Sequence, residues 1–301
     1  MGNNDFIVTA YDYANSLLDN GIDPKITIKT NIDIESDHIT KAINPISRVS
    51  RFWSNTSDKE IPIFFVSVDE NGKEYLREQL GNLGFLDAMP EEDKWNSNID
   101  TTIFGSGGHS FLHNQAILVY WQVAGSKNRF DDTGTLKTAP HLFTHAIQSI
   151  AFEGTSQILT DLPGWFIEGQ ADFIGLFSIS NSLSEYLYHR RNFFSVAYVP
   201  GGPEVKLTLK QYTERDWYDS LYNSPQKFAG IKLVDEYYSG LMAYEFLLSE
   251  VGSDNILEIY NRFLNGEDFY ALVEDYSGYS KHDFCIEVSK KLVDVSRGIN
   301  A

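Results

Sequence analysis

His141 and His145 stand one helical turn apart, so on a helix both imidazoles leave the same face and point toward one place. Two convergent imidazoles are a metal-ligand arrangement. Farther along, in Pro163-Gly-Trp-Phe-Ile-Glu-Gly-Gln-Ala-Asp172, Glu168 can arrive from a second helix. It would complete a two-histidine, one-carboxylate set and leave one coordination position for water or substrate. Asp172 is four residues past Glu168 and shares its helix face. A carboxylate there can accept the second ring N–H of a ligating histidine, most simply His141, and fix its tautomer. The residue after the first histidine is Leu142, which cannot take a proton.

Each of these residues has a plainer reading. Glutamates are mostly solvated charges on amphipathic helices, but Glu168 is bracketed by Trp165-Phe-Ile and Gly169-Gln-Ala, surroundings that suit a close-packed site. For Asp172 an ordinary surface aspartate and a hydrogen-bond partner of a ligand are equally compatible with the spacing. A second histidine pair, His109 and His113, serves as an internal control. That pair falls in a stretch that reads as strand, where four residues extend about 13 Å, too far for one metal.

The elements that must carry these groups follow from periodicity. Lys25 to Ile34 alternates as a half-buried strand, and Ile61 to Val68 reads as a second strand with Pro62 tolerated near its start. A third strand is expected within Ser110–Val123. Helices are expected from Asp37 to about Asn55 and from Gly72 to Gly81. After Lys137 long strands vanish, and helical spacing recurs over Pro140–Phe152, Trp165–Ile179, Leu233–Val251, Asn255–Leu264 and Lys281–Val295. Pro200-Gly-Gly-Pro203 is a turn cluster, and Gly252 is placed to end a helix. The fold class expected is α+β: a small sheet-containing lobe over residues 1–135 and a mainly helical lobe over 136–301. The boundary near residues 125–138 rests on Gly125, Gly134 and the Asp131-Asp132 pair.

The 139–175 block resembles the gluzincin clan of zinc metallopeptidases. "PGWFIEGQADF" is similar to the clan's Pro-x-Trp-x-x-Glu-Gly-x-Ala-x-Phe/Tyr block, and "THAIQ" resembles the end of its first zinc helix. More loosely, Tyr237 to Tyr260 is similar to the helix that follows the third ligand, and a sheet lobe with an edge strand just before the zinc helix also fits. The resemblance implies zinc held by His141, His145 and Glu168, with Asp172 behind a ligand and Tyr237 as an oxyanion stabiliser. It also implies a peptide or protein ligand in a cleft between the lobes. In the clan's His-Glu-x-x-His motif the glutamate is the general base on zinc-bound water, and here that position is Leu142. General-base assistance contributes about 10²–10⁴-fold, so its absence bears on turnover more than on metal binding. Glu153 is the nearest later carboxylate, and its reach to the site is undecided by the sequence.

Composition narrows the partners. Asp plus Glu number 42 against 24 Lys plus Arg, a net charge of -18, which disfavours nucleic acid and anionic membrane surfaces. With 42% hydrophobic and 14% aromatic residues a sizeable core is available. Aromatics from Phe193 and Phe194 to Tyr218 and Tyr222 can line a cleft, although a buried aromatic core is the commoner fate. Cys285 is the single cysteine, which excludes an intramolecular disulfide and a cysteine-based zinc site. No apolar run is long enough to span a bilayer. The start Met1-Gly-Asn-Asn-Asp has neither the basic nor the apolar part of a secretory signal, so a cytoplasmic location is the default expectation.

Three functions remain open on this reading. One is a gluzincin-like homologue that holds Zn2+ and binds peptides but turns over weakly or not at all. Another is an active peptide or amide hydrolase with a substitute base. The last is a metal-free binding protein in which the same residues form a polar core network.

Overall fold

Phe6, Ile7, Ala10, Tyr11 and Ala14 recur at helical spacing and form the buried face of α1 (Asp5–Leu17). The computed structural model describes residues 5–18, 26–31, 43–50, 61–67, 70–83, 108–113, 115–122, 133–151, 161–194, 211–224 and 233–296. It is mainly helical with one small sheet, broadly α+β, and divides into two compact units. One comprises Met1–Asp19 with Gly154–Ala301, and the other Asn20–Glu153.

The unit Asn20–Glu153 contains β1 (Ile26–Thr30), α2 (43–50), β2 (Ile61–Ser67), α3 (Glu70–Asn82), β3 (Gly108–His113), β4 (Gln115–Gln122) and α4 (Thr133–Ala151). The strands form one sheet in the order β1-β2-β4-β3. Pairing is parallel between β1 and β2 and between β2 and β4, and antiparallel between β3 and β4. Pro62 pairs with Thr27 but precedes Ile63, the first β2 residue paired with β4, so its missing N–H falls at the strand's start as expected. Ile63 and Phe64 are fully buried, and α3 packs on β2 with Leu76 and Leu80 buried.

Several boundaries differ from the sequence expectation. The single strand expected within Ser110–Val123 is two strands, β3 and β4, paired antiparallel with His113 opposite Gln115. β4, the strand next to α4 in sequence, is paired on both sides, and the edge is β3. A helix beginning at Pro140 is overturned as well: α4 runs from Thr133 and contains both Gly134 and Pro140. Proline at a first helical turn is the commoner arrangement, since an interior proline removes one ladder hydrogen bond. Described parts of the expected 37–55 helix are limited to 43–50. The Pro200–Pro203 turn, Glu153, Gly125 and the Asp131-Asp132 pair lie outside the described residues.

The other unit adds α5 (Gly164–Ser178), α6 (Leu183–Phe194), α7 (Glu214–Tyr222), α8 (Leu233–Val251), α9 (Ser253–Leu264), α10 (Phe269–Ser277) and α11 (Lys281–Ser296) to α1. The spacing expectations for α5, α8, α9 and α11 hold to within two residues. α1, α6, α7 and α10 are short helices that periodicity alone did not single out. Gly252 ends α8 through its N–H to the Leu248 carbonyl at 2.9 Å and starts α9 by accepting from the Ile256 N–H at 3.1 Å. Its φ of 80° is the left-handed region where glycine carries no Cβ penalty. α5 and α8 pack together at the centre of this unit, with α1 against α8 through an edge contact of Phe6 and Phe246. Among the described residues no helix is long and apolar enough to cross a membrane.

Candidate metal centre

α4 is held against β3 and β4, and Ala139, Leu142, Phe143, Ala146 and Ile147 are among its buried apolar positions. This packing fixes the helix that carries the histidine pair. His141 is buried and His145 half-buried, with ring centroids 4.6 Å apart and planes at 88°. The two Nε2 atoms are 3.0 Å apart. Two ligands on a tetrahedral zinc, each bonded at about 2.0–2.1 Å, are spaced by about 3.3 Å, so the pair needs only a few tenths of an ångström to suit one ion. Nδ1 of His145 meets Oε1 of Gln148 at 2.8 Å. Thr144 donates its hydroxyl to the Pro140 carbonyl at 2.9 Å, a local bond within the same turns.

Every residue of α5 is buried, from Gly164 to Ser178. A helix buried all round belongs at the centre of a core, and its polar residues then need partners or a purpose. The helix starts at Pro163, whose carbonyl accepts from the N–H groups of Phe166 and Ile167 at 2.9 and 3.2 Å. Trp165 is core: it stacks on Phe284 at 5.2 Å and donates its indole N–H to the Tyr270 hydroxyl at 3.0 Å. Gln170 donates to the Tyr244 hydroxyl at 3.1 Å, tying α5 to α8. Glu168 and Asp172, one turn apart, are 2% and 0% exposed, which removes the solvated-carboxylate reading for both.

Among the described residues, His141, His145 and Glu168 form a group whose ligand atoms all lie within 4.8 Å of one another. Two imidazoles and one carboxylate suit a borderline cation such as zinc, and cations of this kind offset the cost of burying a carboxylate. The group could hold a metal ion, and its donor set does not by itself name which one. Leu142, 7% exposed, is part of the apolar packing of α4 and has no proton-accepting atom.

Other residues singled out from the sequence fall elsewhere. His109 and His113 lie four residues apart on β3, where extended backbone spaces them by about 13 Å. Tyr237 is half-buried on α8. Its neighbour Tyr238 is buried against Phe193 and Phe194, with ring centroids 5.7 and 5.5 Å away, and burial pushes its phenol up to about 12. Phe193 and Phe194 are therefore core, as the commoner reading has it. Tyr222 is partly exposed and stacks on Tyr218 at 5.2 Å. A cavity of about 610 Å³ lined by Pro163, Asn223, Glu267, Tyr270 and Lys281 includes none of the three candidate ligands.

Two arrangements escape a search for titratable motifs. Gln148 contacts a candidate ligand but is neutral, and only its i, i+3 spacing to His145 marked it. Arg190 and Glu245 form a buried ion pair, with Arg190 Nε 2.8 Å from Oε1 of Glu245 and both side chains at most 2% exposed. Tyr186 donates its hydroxyl to the same Oε1, and burial with the adjacent carboxylate holds that phenol well above its ordinary range. Perturbed groups of this kind also occur in purely structural networks, and this one joins α6 to α8. No protein-family model and no curated protein sequence matches this chain.

Proposed function

We propose that the chain is a gluzincin-like zinc protein that binds a peptide or protein segment and turns it over weakly or not at all. The observation that carries this reading is the gathering of His141, His145 and Glu168 within 4.8 Å, in the order and context of the motif block that suggested them. His141 and His145 would supply two nitrogens, and Glu168 a carboxylate oxygen. Asp172, fully buried one turn beyond Glu168, is the residue we assign to orient a ligating histidine.

Zinc, when bound, supplies Lewis-acid polarisation and lowers the pKa of a coordinated water toward about 7. The protein's own residues must do the rest, and the usual proton acceptor is missing. Leu142 offers an apolar side chain where the clan places a glutamate. Loss of a general base removes about 10²–10⁴-fold of rate while leaving the ligands untouched. A ligand set spared while the base is absent favours retained metal and binding over retained catalysis. Tyr237 is the residue we assign to oxyanion stabilisation in any residual chemistry.

Zinc stoichiometry by elemental analysis, on protein purified without an affinity metal, tests the reading. One zinc per native chain, lost in His145→Ala, is the expected result. No zinc in either protein overturns the metal centre and leaves a polar core network on the same fold.

A further inference from the structure

We infer that Gln148 is a positioning residue for the metal centre, holding His145 in the tautomer that leaves its Nε2 lone pair for a metal. The inference rests on the zinc reading above but starts from a separate contact. Oε1 of Gln148 is 2.8 Å from Nδ1 of His145. An amide oxygen has no hydrogen to donate, so with the Gln148 amide in this orientation the bond draws its hydrogen from Nδ1. Nδ1–H leaves Nε2 as the atom through which His145 can bind a metal, and Nε2 is the atom that faces His141 at 3.0 Å. That short contact places one hydrogen between the two Nε2 atoms, and a cation would take its place.

The position of Gln148 suits this role better than a general structural one. It is three residues past His145 on α4, so one helical turn sets the contact without help from a distant element. The side chain is 0% exposed, whereas the imidazole it holds is only half-buried. A ligating histidine usually gives its second N–H to a carboxylate, carbonyl or water, and an amide oxygen is the neutral counterpart of those acceptors. The neutral acceptor adds no charge beside Glu168.

Two measurements test the proposal on the whole 301-residue chain. Long-range ¹H–¹⁵N correlation of the histidine rings in metal-free protein should show His145 protonated at Nδ1, and the signature should be lost in Gln148→Leu. Zinc affinity, read by competition with a chromophoric chelator, should fall about 10–100-fold in Gln148→Leu and be restored in Gln148→Glu. Thermal melts of both variants control for folding. If Gln148→Leu does not fold, native affinity in Gln148→Ala would overturn the proposal, and weakened affinity rescued by Gln148→Glu would support it. A bare Nδ1 in the native protein, or native zinc affinity in Gln148→Leu, would overturn it. Failure of the native chain to bind zinc would overturn the metal centre instead, and the ring spectrum would still decide whether Gln148 holds the tautomer.

Discussion

A Cβ built on Gly169 would lie 2.1 Å from the carbonyl oxygen of Gly240, so α5 and α8 cross with their backbones in direct contact at these two residues. Gly169 immediately follows Glu168, and the crossing therefore fixes the backbone that carries the candidate carboxylate ligand. In the other direction, a Cβ on Gly240 would meet the Trp165 carbonyl oxygen at 2.8 Å and the Gly169 nitrogen at 2.9 Å. Neither obstacle is the end of a flexible side chain, so the helices themselves would have to part.

Gly169→Ala is accordingly expected to destabilise the protein by about 3 kcal/mol or more, at the upper end of overpacking costs, despite the gain of about 1 kcal/mol that alanine brings to a helix. Gly240→Ala should cost less, since its clash is shallower. Urea denaturation of the two variants checks both size and order, and a neutral Gly169→Ala would mean that the crossing is not close.

Removing one member of the Arg190–Glu245 pair leaves the other charge buried. Glu245→Ala should cost about 3–5 kcal/mol, while the double variant Arg190→Met with Glu245→Leu should recover most of that loss. Denaturant midpoints for the single and double variants decide the point. Equal losses in both would show that packing, not the stranded guanidinium, sets the cost.

Placing a glutamate at position 142 is the direct test of the proposed loss of turnover. With zinc bound, Leu142→Glu should raise peptide hydrolysis by about 10²–10⁴-fold over the native chain. Adding Tyr237→Phe to that background should lower the gained rate by about 10²–10³-fold if Tyr237 stabilises an oxyanion. An inactive Leu142→Glu protein with full zinc content would point to a site shaped for binding alone.

Asp172→Ala is expected to weaken zinc binding about 10–100-fold without abolishing it. Chelator competition measures this, with folding verified because Asp172 is 0% exposed. Unchanged affinity in a folded variant would remove Asp172 from the metal centre.

Cys285 reports on the core of α11. It is 0% exposed, and burial pushes its thiol up to about 12. Its folded value exceeds its unfolded value of about 8.5, so above that pH the unfolded chain binds fewer protons than the folded one. The group's contribution is therefore fully present below about pH 8.5 and is lost as pH rises toward 12. Native protein at pH 8 should resist thiol-directed reagents, become reactive only on unfolding, and melt at lower temperature as pH climbs past 9. Rapid labelling of native protein would contradict the burial.

Residue types and short spacings were legible because they depend only on neighbours along the chain. The i, i+4 histidines, the apolar strand run of Ile61–Ser67 and the bounds of α8 all follow from local patterns that survive in the folded protein. Gln148 was equally local, but a neutral amide gives no charge signal to mark it. Helix α4 extends back through Gly134 and Pro140, where local rules favour a boundary, and its packing on β3 and β4 must outweigh about 3 kcal/mol for the interior proline and about 1 kcal/mol for the glycine. Other features required the chain to be folded. Arg190 finds Glu245 across 55 residues, and Gly169 meets Gly240 only when separate helices are packed. Sequence distance says nothing about such meetings, since the energy that selects them is the burial of whole helix faces. Side-chain chemistry could be read one residue at a time; its convergence belongs to the core that forms around it.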